Sequence, residues 1–294
     1  MTSPSSFQLL AAPVTAFDAD GGLDIIATGR LFAFLRDAGV DGVFTPGTTG
    51  EFTALEDGER LAVIETALEE FGPDRTIAHV GAASARQTAR LAHAATRLGA
   101  TRLAAITPYY FPAGEQALLE HFRRVTDAVP DASVYAYVFP PRAVTTVAPE
   151  TLARLAALPG MAGVKVSGLP LAENLAYLDV IPEGFEYYSG NDADIVRLAA
   201  AGAAGVVSGV STILPELFVQ VTRVIRAGED ATALQAEIDD AVAASASADI
   251  GVLKAGLAER GLAAGIPRIS IDPPSDAQLA RAHQTLSPHR AART

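Results

Sequence analysis

The chain of 294 residues contains no cysteine and no tryptophan, and only two lysines, Lys165 and Lys254, against 20 arginines. Without cysteine there are no disulfides, thiolate zinc sites or cysteine nucleophiles. The five histidines, His79, His93, His121, His283 and His289, show neither His-x-His nor His-Glu-x-x-His spacing, so no metal site is expected. A formal charge of −12 argues against nucleic acid or an anionic membrane surface as a partner, because both repel an acidic protein. The first basic residue is Arg30, so the N-terminal stretch does not read as a signal peptide. The uncharged run 198–215 is interrupted by Gly202, Gly205 and Gly209, which fits a buried strand with turns rather than a membrane span. A soluble, cytoplasmic protein is the expectation.

What is present is an alternation. Short β-branched runs at 9–17, 42–46, 76–81, 102–107, 133–139, 163–166, 185–189 and 205–208 read as strands, and segments of helical period such as 55–71, 86–98 and 116–128 lie between them. Each strand-plus-helix unit has the length of a βαβ crossover, and eight of them predict an α/β fold, a (β/α)8 TIM barrel of about 225 residues. Beyond it only helical patterns follow, at 231–246, 250–260 and 275–285, separated by Pro267, Pro273 and Pro274. The expected division is a barrel over 1–227 and a C-terminal helical region over 228–294 that packs on the barrel or at a subunit interface.

Since the chain uses arginine almost wherever it needs positive charge, the lysine inside the apolar run GVKVSG (163–168) calls for a reason. Arginine stays protonated everywhere, whereas a desolvated lysine amine can lose its proton and become a nucleophile. Active sites of such barrels lie at the C-terminal ends of the strands, so the residues there are the candidates. The PGTTGE turn at 46–51 offers backbone amides and two hydroxyls that can hold an anion, or is simply a turn. The fifth strand puts Tyr135, Tyr137 and Phe139 on one face and leads to Arg142; Tyr137 reads either as core or as a proton relay, and Arg142 as a carboxylate clamp, a loop cap or a surface ion pair. His79 ends the third strand and is in reach of the pocket. Asp18 to Asp24 reads as a turn with Asp24 capping the next helix. The glycines of GVVSG (205–209) serve either anion binding or tight packing.

Taken in order, GTTGE at 47–51, TPYY at 107–110, the segment from Tyr137 to Arg142, GVK at 163–165, SGND at 189–192 and GVVS at 205–208 resemble the dihydrodipicolinate synthase and N-acetylneuraminate lyase family over nearly the whole chain. The resemblance implies class I aldolase chemistry on pyruvate or another 2-oxo acid with an aldehyde acceptor, no cofactor, and a homotetramer arranged as a dimer of dimers. It makes Lys165 the Schiff-base lysine and Tyr137 the proton donor and acceptor. Thr48 and Tyr110 would complete a proton relay, Tyr110 from across a dimer interface. Thr49, Gly190 and the Val207 carbonyl would border pyruvate, and Arg142 would meet the acceptor. Condensation of pyruvate with aspartate semialdehyde is the leading expectation. A lyase acting on N-acetylneuraminate or a 2-keto-3-deoxy sugar acid is the alternative, and a non-catalytic small-molecule-binding barrel is the alternative of another class. The chain departs from the synthase pattern around the arginine, at Pro141 and Ala143, and has Val166 and Ser167 after the lysine. IAHVG at 77–81 looks more like the neuraminate lyase branch. Ala83 and Gln87 stand where lysine-inhibited synthases have Asn and Glu, so inhibition by lysine is not expected.

Overall fold

The structure, a computed structural model, describes residues 6–290. Residues 1–5 and 291–294, the outer ends of the two expected regions, and the side chain of His289 lie outside the described residues. Strands and helices alternate as β1 (Gln8–Ala11), α1 (Ile25–Ala38), β2 (Gly42–Thr45), α2 (Asp57–Phe71), β3 (Thr76–His79), α3 (Ala85–Arg97), β4 (Arg102–Ile106), α4 (Glu115–Ala128), β5 (Ser133–Val138), α5 (Pro140–Ala143), α6 (Pro149–Ala156), β6 (Met161–Val166), α7 (Leu171–Leu178), β7 (Glu186–Ser189), α8 (Ile195–Ala200), β8 (Gly205–Ser208) and α9 (Pro215–Ala227). The strands pair in parallel and in sequence order, and β8 closes on β1, giving an eight-stranded barrel among the described residues. No helix among them is long and apolar enough to cross a membrane.

The pleat of the strands sorts their side chains into two layers. On β5, Val134, Ala136 and Val138 join the large cluster shared with the surrounding helices, while Tyr135 and Tyr137 fill the barrel interior with Leu10, Phe44, Ile106 and Val207. Each fully buried Phe of the outer layer, such as Phe32, Phe122 and Phe218, contributes about 1.5–3 kcal/mol relative to exposure. Helix starts are locally encoded: Asp24 accepts from the Ala27 amide at 2.9 Å, Ser84 accepts from Gln87, and Glu56 with Glu59 forms a capping box. The Asp18 carboxylate accepts from the amides of Asp20 and Gly22, so the expected turn and cap are both present.

One end of the barrel is plugged. At the starts of β4, β5 and β7, the Tyr135 hydroxyl donates to Glu186 at 2.6 Å, and Arg102 donates to Tyr135, Tyr188 and Glu186. The Tyr135 ring fits only because residue 163 is glycine; a Cβ there would stand 2.7 Å from the ring. The open end is therefore the one where the strands finish.

The first strand is shorter than the expected 9–17. Pro13 cannot donate to a ladder, and beyond the Ala12 amide, which still bonds Ser208, the chain turns away until the Phe17 amide meets Ala264. The helices after the barrel, α10 (Thr232–Ala244), α11 (Ile250–Glu259) and α12 (Asp276–Arg290), pack on it: Ile238, Leu253 and Leu257 belong to the same apolar cluster as the barrel helices. Arg260 reaches the Ile213 carbonyl and Glu216 at the start of α9.

Candidate active site

Alternation on β6 turns Val164 and Val166 out to the helices and Lys165 into the barrel. Lys165 is 6% exposed, and its Nζ lies 3.9 Å from the centre of the Tyr137 ring and 4.9 Å from that of Phe44. It has no ion-pair partner within 4 Å among the described residues. An amine held on ring faces without a carboxylate in contact is available as a nucleophile once deprotonated.

Tyr137, directly opposite Lys165 in the β5–β6 register, bonds through its hydroxyl to Thr48 Oγ1 at 3.1 Å. Its ring is braced edge-on by Phe44 at 5.5 Å and by His79 at 5.9 Å. Thr48 belongs to the turn after β2, whose backbone is closed by the Glu51 amide donating to the Thr48 carbonyl at 3.0 Å. At the end of β7, Gly190 leaves the space through which the lysine passes: a Cβ there would overlap Ser167 Oγ and meet Lys165 Cε at 3.0 Å.

These groups open into a cavity of about 720 Å³ at the C-terminal ends of the strands. Lys165, Tyr137, Thr48, Thr49, Arg142, Gly190 and Val207 all line it. Arg142 sits in the single turn of α5, and its guanidinium has no ion pair among the described residues, so the surface-carboxylate reading of this residue does not hold. Tyr110 is apart: it is 81% exposed, has φ 74°, packs against Phe111 and lines a neighbouring groove. The tyrosine of TPYY that reaches the cavity is Tyr109, packed edge-on against Phe52. His79 does not line it, contrary to expectation. The His79 ring is fully buried beneath Tyr137 with Nδ1 bonded to the Pro46 carbonyl, and burial, reinforced by the neighbouring Arg60 charge, holds it well below the usual histidine range.

Sequence reasoning missed two further contributors. Asp192, two residues after Gly190, lines the cavity; its Oδ2 accepts from Ser208 at 2.9 Å, while the buried Oδ1 has no hydrogen-bond partner among the described residues. Burial pushes this carboxyl up to about 7, against the opposing pull of the Ser208 hydroxyl and the Lys165 charge. Its place in the SGND segment just past the end of β7 was the available signal. The second contributor is the turn between α10 and α11: Ala246, Ser247 and Ala248 have φ of 49°, 59° and 64° and edge the cavity with Ile250, as do Ile269 and Ile271 further on. Nothing in the residue types announces three successive left-handed conformations.

A barrel with a desolvated lysine paired to a hydrogen-bonded tyrosine at its open end is the architecture of a class I lyase, one that works through a lysine Schiff base. The profile of the dihydrodipicolinate synthetase family matches residues 5–288, and the chain belongs to that family. It is 34% identical over 276 residues to a 4-hydroxy-tetrahydrodipicolinate synthase of Corynebacterium diphtheriae, covering 92% of this chain and 90% of the relative. Over 222 residues it is 40% identical to 4-hydroxy-tetrahydrodipicolinate synthase 1 of Streptomyces coelicolor, covering 75% and 72%. The solved dihydrodipicolinate synthase of Thermotoga maritima superimposes with a TM-score of 0.90 over 96% of this chain and 98% of that one, at 26% identity.

Proposed function

We propose that the protein condenses pyruvate with aspartate semialdehyde to give 4-hydroxy-tetrahydrodipicolinate, the product named for both of the synthases compared above. The observation that supports this most is the contact of Lys165 Nζ with the Tyr137 ring at 3.9 Å, with the tyrosine hydroxyl bonded to Thr48 at 3.1 Å. The free amine of Lys165 adds to the 2-oxo carbon of pyruvate, and the carbinolamine loses water to leave an iminium. That cation withdraws electrons from the adjacent methyl, which gives up a proton and becomes an enamine. The enamine carbon forms the new bond to the aldehyde carbon, whose oxygen takes up a proton. Addition of water, or of the acceptor's own amine, to the iminium carbon then releases Lys165. Tyr137 is the group in position to pass these protons, with Thr48 holding its hydroxyl.

Amides of the turn carrying Thr49 suit the pyruvate carboxylate, and Arg142 at the cavity wall suits the carboxylate of the acceptor. One observation favours a second reading, cleavage of a hydroxylated 2-oxo sugar acid: the Asp192 carboxyl lines the cavity, where a polar group suits a substrate hydroxyl. The same overall reading takes residues 1–227 as the barrel and 228–294 as a helical region, in a cytoplasmic homotetramer. Tyr110 and Phe111, 81% and 75% exposed, support an interface at that edge, and sedimentation tests the tetramer. The enzymatic reading is tested by treating the protein with pyruvate and borohydride and weighing the intact chain. A panel of charged and neutral aldehydes, with sugar acids run in reverse, then separates the substrates. Absence of a pyruvate adduct leaves the non-catalytic binding barrel.

A further inference from the structure

The second lysine of the chain lies outside the cavity yet is more deeply buried than the first. Lys254, on α11, forms an ion pair with Glu51 at 2.8 Å, the two side chains being 2% and 0% exposed. The ammonium also donates to the Ile266 carbonyl at 3.0 Å and rests 4.2 Å from the centre of the Phe17 ring. A carboxylate, a carbonyl and a ring face around one nitrogen suit a compact ammonium, which is the reason we give for lysine here in a chain that otherwise prefers arginine. The other oxygen of Glu51 accepts from the backbone amides of Arg268 and Ile269 at 2.6 and 2.9 Å.

Glu51 ends the turn that bears Thr48 and Thr49. It holds φ 57°, a left-handed conformation that a glutamate keeps only when its surroundings impose it. From its backbone the path to the cavity is short: the Glu51 amide donates to the Thr48 carbonyl at 3.0 Å, and Thr48 Oγ1 meets the Tyr137 hydroxyl at 3.1 Å.

We propose that Glu51 and Lys254 are positioning residues, a buried clamp by which the C-terminal helical region sets Thr48 against Tyr137. Neither touches the cavity, and their effect passes through the turn. The same clamp fixes both chain segments that edge the cavity from the C-terminal side, since Ala248 and Ile250 lie just before Lys254, and Ile269 and Ile271 just after Arg268. This inference rests on the Schiff-base reading given above.

The test compares wild type with Lys254→Met and with the double variant Glu51→Gln, Lys254→Met. The double variant removes both charges at nearly constant volume and keeps an oxygen for the two amides, so it folds even where the single variant, left with an unpaired buried carboxylate, does not. Sites able to form the imine are counted by pyruvate and borohydride trapping, and exchange of the pyruvate methyl protons with deuterated water is followed by NMR. The clamp predicts that, per trapping-competent site, exchange slows on the order of 10- to 100-fold and the pyruvate KM rises, as misplacement of a relay group by a fraction of an ångström produces. A purely structural role lowers the melting temperature and the number of competent sites while exchange and KM per site stay at wild-type values, and that result overturns the proposal. Failure of both variants to fold overturns it too, by making the pair a requirement of folding. If wild type itself traps no pyruvate, the Schiff-base reading falls first and this proposal with it.

Discussion

Lys165 and Tyr137 are register partners on adjacent strands, and the lysine side chain ends with Nζ 3.9 Å from the centre of the tyrosine ring. Neighbouring strands of the barrel thus present the proposed nucleophile and proton carrier to the same small volume, with no loop needed to bring the two together. The first expectation is that borohydride fixes pyruvate to the chain and that peptide mapping finds it on Lys165. Lys165→Arg keeps the charge and most of the volume but cannot form an imine, so the adduct should vanish while the barrel stays folded. An adduct of undiminished yield in that variant removes Lys165 from the chemistry.

Tyr137→Phe preserves the ring on which Lys165 rests and deletes only the hydroxyl that meets Thr48. Imine trapping should therefore survive, and turnover should fall by roughly 10²–10⁴-fold, the usual scale for a positioned acid–base group. Steady-state rates beside trapping yields make the separation. A turnover near that of wild type would mean that water carries the protons instead.

Short β-branched runs set between helical segments made the eight strands legible, and the period of two along the fifth placed Tyr135 and Tyr137 on one face. Scarcity marked Lys165 as well. Tyr109 and Tyr110 show where such reading ends: that Tyr109 lines this chain's own cavity, while Tyr110 at a left-handed φ of 74° stands exposed beside it, is not written in the letters. His79 ended beneath the cavity because Tyr137 and Phe52 cover it. The pairing of Glu51 with Lys254 joins residues some two hundred positions apart, and only the packed C-terminal helices bring them together.

Asp192 should leave a mark on stability. Its carboxyl, ordinarily near 3.8, is pushed up to about 7 mainly by burial, so between those values the folded state holds a proton that the unfolded chain has released. The folded state is then the one binding more protons, and stability falls as pH rises from about 4 to about 7, levelling off above. Asp192→Asn carries no such proton. Denaturant unfolding at several pH values should show the variant gaining on wild type across that interval and no further beyond it. Parallel curves for the two proteins would mean that Asp192 ionises freely in the fold.

Arg142 decides between the two substrate readings. Its guanidinium faces the cavity without an ion-pair partner among the described residues, so a carboxylate on the acceptor is the natural occupant. A charge-assisted contact is worth about 1.5–3 kcal/mol, and solvent screening at this exposed position draws the value toward the lower end, on the order of tenfold in kcat/KM. Arg142→Ala should impose that loss on aspartate semialdehyde and spare a neutral aldehyde of similar size, with pyruvate trapping unchanged because the imine forms deeper in the barrel. The comparison needs only the ratio of the two acceptors in each protein, which cancels any general loss of active enzyme. Equal losses for both acceptors would exclude Arg142 as the selector. The Asp192 carboxyl at the cavity wall would then be the leading contact for a substrate's polar groups, and cleavage of a hydroxylated sugar acid the better description of the reaction.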